Sequence, residues 1–160
     1  MIEIVNRQRT VKFDGNFLHA FVSSLSANVR ESKGRGLTVA FVSDRKMRQL
    51  NKQFRGKNST TDVLSFPHEP DEFESESYAF TREDSSENLT PEGVTPTFLG
   101  DIVISAEQAE RQAKENGLTL EGEIKQLILH GLLHLCGYDH ETDKGEMNAR
   151  ELELRDKLGI

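Results

Sequence analysis

Tryptophan is absent from this chain of 160 residues, and cysteine occurs once, as Cys136. One thiol closes no internal disulfide, so the fold must rest on its core rather than on cross-links. Aromatic residues make up 7% and hydrophobic residues 35%, which is lean. The apolar residues are nonetheless grouped into distinct segments, as in a folded chain. A length of 160 residues suits one domain with a single core, spanning 1–160. No apolar run approaches the length of a membrane span. The opening residues Met1-Ile-Glu-Ile-Val-Asn-Arg7 lack the basic-then-apolar layout of a signal peptide. The expectation is a soluble cytoplasmic protein with no membrane partner.

Charge is unevenly spread. The net value is −7, but residues 68–97 carry nine carboxylates against Arg82 alone. That segment holds more than the whole chain's excess, and the remainder is close to neutral. Local basic patches can therefore decide what the rest binds. The segment is rich in Glu, Ser, Thr and Pro and reads as a long, acidic, mobile insertion. A sharper reading makes it a flap that screens a site from unsuitable polyanions.

Strand and helix signals alternate around it. Residues 2–5 predict a short strand, and apolar spacing from Phe17 to Val29 predicts an amphipathic helix. The run 37–42 predicts a buried strand. Ser43 then caps a helix reaching about residue 54. A strand over 61–66 stops at Pro67, and another covers 98–105. Ser105-Ala-Glu-Gln108 fits a capping box that starts a helix to about residue 116. Thr119 caps the next helix, and Thr142 and Asp143 open a last one. The order fits an α+β domain, a small mixed four-stranded sheet packed with about five helices.

Three of the five histidines fall in His130-Gly-Leu-Leu-His134-Leu-Cys-Gly137-Tyr-Asp-His140. Residues four apart share a helix face, so His130 and His134 project together. Gly137 allows the chain to turn back, which lets His140 supply a third corner. Three imidazoles around a zinc-type ion leave the open position a catalytic metal needs. Cys136 would fall on another side of the helix and is expected to face the core. Asp139 is either a turn residue or a partner orienting an imidazole. The spacing matches the metzincin proteases, but Gly131 stands where they carry a glutamate. That carboxylate activates water and moves the proton, so peptidase chemistry is not expected. Other first-row ions also suit three histidines.

Arg45, Lys46, Arg48, Lys52, Arg55 and Lys57 form a basic segment. Lys46 and Lys52 read as a solvated helix face. Arg55, placed past that helix, has a guanidinium able to fork onto a phosphate. Near the metal, it would complete a phosphate clamp. No aromatic residue is read as interleaving with this patch, so a base-stacking platform is not indicated and RNA contact is expected mainly through phosphate and shape.

Four blocks in order resemble the YbeY family of bacterial rRNA maturation factors. They are Leu50-Asn51 with Phe54-Arg55-Gly56-Lys57; Thr61-Asp62-Val63-Leu64-Ser65-Phe66-Pro67, preceded by Thr60; Leu99-Gly100-Asp101-Ile102-Val103-Ile104-Ser105; and His130 to His140. The resemblance implies a mixed-sheet fold like a reduced metalloprotease, with a zincin-like metal-bearing helix. It implies one zinc ion on His130, His134 and His140, and a functionally important Arg55. It implies a single-strand-specific endoribonuclease that matures the 3′ end of 16S rRNA and serves ribosome quality control. Its partners would be rRNA in the small subunit and ribosomal proteins. The acidic stretch is longer than the family pattern suggests, which bears on how open the site is. The nucleophile stays open between a metal hydroxide and the ribose 2′-OH. The alternative is a metal-stabilised ribosome-assembly factor with little hydrolase activity of its own.

Overall fold

The structure is a computed structural model that describes residues 1–69 and 98–160. The acidic insertion and the flap read from it lie, from residue 70 on, outside the described residues. Four strands form one mixed sheet: β1 (Ile2–Asn6), β2 (Gly36–Val42), β3 (Val63–Pro67) and β4 (Phe98–Ser105). Their order is β1-β2-β4-β3. β1 and β4 flank β2 in parallel, and β3 runs antiparallel along β4 as an edge strand. Among the described residues, five α-helices accompany it: α1 (Asn16–Asn28), α2 (Asp44–Arg55), α3 (Ala106–Asn116), α4 (Leu120–Leu135) and α5 (Glu146–Leu158). This is the α+β architecture expected from the sequence.

Strand periodicity sorts the core onto two faces. Val39, Phe41, Ile102 and Ile104 point to the larger layer, built with α1 and α4. Val42, Leu64 and Val103 point the other way, where Met47 of α2 closes a smaller cluster joined by Phe66. Nine of the sixteen residues of α4 are buried, so this helix is the central beam. Each fully buried Leu or Ile contributes about 1.5–3 kcal/mol, which fixes α4 against the sheet.

The helix starts follow their caps. Ser43, Ser105 and Thr119 accept from the backbone N–H of Lys46, Gln108 and Gly122 at 3.2, 3.2 and 3.0 Å. Three of the boundaries that differ from the sequence reading have a visible local cause. Arg55 is the last residue of α2, not a residue past it. Gly56 adopts φ 70° and donates to the Asn51 and Lys52 carbonyls, so the helix runs up to it. β3 begins at Val63, because the Asp62 carboxylate takes the Val63 N–H at 2.8 Å. α5 begins at Glu146, not at Thr142 or Asp143. Asp143 still caps it from a distance, accepting from Gly145 and Met147 N–H at 2.9 Å each.

Candidate metal centre

His130 and His134 stand one turn apart on α4, which ends one residue after the second of them. The end is a Schellman turn: Tyr138 N–H reaches the Leu133 carbonyl at 3.1 Å and Gly137 N–H the His134 carbonyl at 3.0 Å. Gly137 takes φ 98°, a value that L side chains resist. The reversal brings His140 back beside the helix. The turn is anchored from outside, since Tyr138 Oη donates to Glu31 at 2.9 Å. Arg150 of α5 forks onto the same carboxylate at 2.9 and 3.1 Å. Those bonds from Arg150 hold the Glu31 carboxyl down at about 2.

The three imidazoles converge. Each offers one nitrogen such that all three lie within 4.8 Å of one another. Nε2 of His130 and Nε2 of His134 are 3.2 Å apart, roughly the edge of a tetrahedron of nitrogens around a zinc-sized ion. Two of the three rings have an acceptor beside them. His130 Nδ1 lies 3.3 Å from Glu151 Oε2, and His134 bonds the Tyr138 backbone. An acceptor at the far nitrogen keeps the proton there and leaves Nε2 with its lone pair. Burial, and then the charges of His130 and His140, push the His134 pKa below its ordinary value. A neutral ring is the form a metal takes up. The donor set therefore fits a divalent ion of the zinc type.

Gly131 has a structural reason. A Cβ there would meet Ile102 Cγ2 at 2.8 Å and Ser65 Oγ at 3.2 Å. Ser65 Oγ also donates to the Gly131 carbonyl at 3.1 Å. The position faces the sheet at close approach, so no carboxylate fits where the metzincins have theirs. Cys136 packs against the core, and burial pushes its thiol up to about 11. Asp139 serves the turn, its carboxylate accepting the Glu141 N–H at 3.0 Å.

The histidines open onto a cleft of about 640 Å³. Arg55, Asp62 and Ser65 line the same cleft. Among the described residues, Arg55 is the one lysine or arginine bordering it, and Asp62, Asp139 and Glu141 are its acidic lining. The structure thus brings Arg55 to the same cavity as the histidines, although the sequence reading set it beyond its helix.

The family profile described as "Endoribonuclease YbeY" matches residues 3–159. The chain belongs to the YbeY endoribonuclease family. Endoribonuclease YbeY of Nautilia profundicola is 37% identical over 160 residues, covering 100% of this chain and 93% of the relative. That of Caldanaerobacter subterraneus subsp. tengcongensis is 39% identical over 163 residues, covering 98% and 96%. The solution structure of TM1509 from Thermotoga maritima superposes with a TM-score of 0.58 at 27% identity, covering 99% of this chain and 90% of that one.

In this YbeY-family chain, the sequence reading missed one residue of the histidine cluster. Glu151 of α5 is 8% exposed and touches His130. A signal was available: Met147, Glu151 and Leu154 are the buried positions of α5. They share helical spacing, so a carboxylate sat on an apolar face where charge costs heavily unless paired.

Proposed function

We propose that the chain is a metal-dependent endoribonuclease that cuts single-stranded RNA, with one zinc ion held by His130, His134 and His140. The convergence of three imidazoles and Arg55 on one cleft carries this reading. A bound zinc ion supplies a Lewis acid for a phosphate oxygen and lowers the pKa of a coordinated water to about 7. The chain's own groups do the rest. Glu151 keeps the His130 proton on Nδ1. Arg55 donates its forked N–H groups to a phosphate and stabilises the charge that grows there. Gly131 brings no general base, so the cleft is not equipped for the metzincin peptidase route.

The biological setting we propose is the cytoplasm, in maturation of the 16S rRNA 3′ end and ribosome quality control, with ribosomal proteins of the small subunit as partners. No helix among the described residues is long and apolar enough to cross a membrane. Family membership and the exposed basic residues of α2 support an RNA substrate.

Arg55→Ala tests the assignment. The expected variant is folded, binds zinc like the wild type and loses about 100-fold or more in cleavage rate, the scale of one transition-state donor. Undiminished cleavage removes Arg55 from the chemistry. End-group analysis distinguishes the nucleophile: a 2′,3′-cyclic phosphate means the ribose 2′-OH, and its absence means water. A zinc-replete wild type that binds RNA yet never cuts it makes the protein an assembly factor.

A further inference from the structure

Phe54 and Arg55 are neighbours at the end of α2, but they serve different surroundings. Arg55 borders the histidine cleft. Phe54 leans on Phe66 of β3, with ring centroids 5.0 Å apart and planes at 70°. It remains 57% exposed, the one exposed phenylalanine among the described residues. The sequence reading found no aromatic residue interleaved with the basic segment and so no base-stacking platform there. The structure corrects this, because Phe54 lies within the segment and Phe66 reaches it from the edge strand.

An edge-to-face pair cannot cover both faces of both rings. Phe66 can cover at most one face of the Phe54 ring in this arrangement, and more than half the surface of Phe54 is open. A residue that served only to cover Phe66 would bury its area there, and a leucine would do it as well. Cations surround the ring in sequence. Lys52, Arg55 and Lys57 are exposed, and among the described residues none is paired with a carboxylate. Arg48 is already committed to Asn58 at 3.0 Å, and Asn51 ties the Ser59 carbonyl at 2.8 Å. These two bonds fasten the loop after Gly56 to the helix, so the ring and its cations stand on a fixed base.

An open aromatic face among unpaired cations, one residue from the arginine of the cleft, suits a nucleobase followed by its phosphate. We propose that Phe54, backed by Phe66, is a stacking subsite for one base of a single-stranded RNA whose phosphate backbone passes Arg55 into the histidine cleft. The proposal rests on the endoribonuclease reading and adds the source of its strand selectivity. A base in a duplex has both faces stacked and cannot dock on Phe54, whereas an unpaired base can.

The test is equilibrium binding and single-turnover cleavage of a labelled single-stranded RNA by the zinc-loaded protein. Wild type is compared with Phe54→Ala, Phe54→Leu and Phe54→Tyr. Loss of one base–aromatic stack weakens binding by about 5- to 160-fold. Phe54→Ala and Phe54→Leu are expected to show that loss, and Phe54→Tyr to regain wild-type affinity. Phe54→Leu keeps the apolar contact with Phe66, so it carries the test if the alanine variant does not fold. An RNA with one abasic nucleotide at the docked position should weaken wild type by the same factor and Phe54→Leu no further. Wild-type affinity in Phe54→Leu overturns the subsite alone. A wild-type protein that neither binds nor cuts RNA overturns the endoribonuclease reading instead.

Discussion

Glu151 and His130 lie 21 residues apart in the chain, on α5 and α4, and meet at 3.3 Å between Oε2 and Nδ1. Arg155 holds the other carboxylate oxygen of Glu151 at 3.0 Å, so the acceptor is fixed before it fixes the imidazole. Orienting partners of this kind are worth about 10- to 100-fold in metal affinity. Glu151→Ala is therefore expected to weaken zinc binding by about that factor, measured by competition with a chromophoric chelator, while its circular dichroism stays native. A folded variant with wild-type affinity would show that Glu151 is only a structural partner of Arg155.

Gly131→Ala tests the close approach of α4 to the sheet. The added methyl meets the side chain of Ile102, and overpacking of this kind costs about 1–3 kcal/mol. Thermal unfolding should show a lowered midpoint without any gain of peptide hydrolysis. An unchanged midpoint would mean that the helix can lift from β4 freely.

These two residues mark how far the sequence could be read. The cap residues Ser43, Ser105 and Thr119 fixed their helix starts locally, through side chains that reach only three residues ahead. The strand over 98–105 was legible for a similar reason, being a compact apolar run between polar flanks. The histidine cluster was legible because four residues of helix and a Gly-bearing turn determine its shape. Glu151 shows locally only as a carboxylate on the apolar face of α5; that it meets His130 depends on how α5 packs against α4, which no local pattern reports. Arg55 was set beyond its helix because Gly56, acting as the C-cap, carries the last turn one residue further than apolar spacing suggested. Phe54 was passed over because its exposure, rather than its residue type, gives it meaning.

Acid should loosen the anchor of the metal turn. Glu31 sits at about 2, against 4.5 for the unpaired group, chiefly through its bonds from Arg150. A lowered pKa adds stability that is complete above 4.5 and is lost as pH falls toward 2. Both side chains are partly exposed, at 28% and 20%, so solvent screening reduces the contribution to about 1 kcal/mol. Denaturant titrations across that window should show the wild type losing this much more stability than Glu31→Gln. Equal losses would mean that the pair is not formed in solution.

Cys136 should be chemically quiet. Burial, more than the nearby Glu31 charge, holds its thiol at about 11, so the thiolate needed for attack is scarce at pH 8. Alkylation of the native protein is expected to be about 100-fold slower than that of a free thiol, and Cys136→Ser should retain its zinc. Loss of zinc in that variant would make the thiol a ligand.

The most direct measurement is cleavage of a single-stranded RNA by purified wild type and His130→Ala. Each is assayed as isolated, after chelation and after zinc is restored. The expected result is wild-type cleavage that chelation abolishes and zinc recovers, with none from His130→Ala in any condition. Cleavage that survives chelation equally in both proteins, or no cleavage by the zinc-replete wild type, would contradict a catalytic metal on His130, His134 and His140.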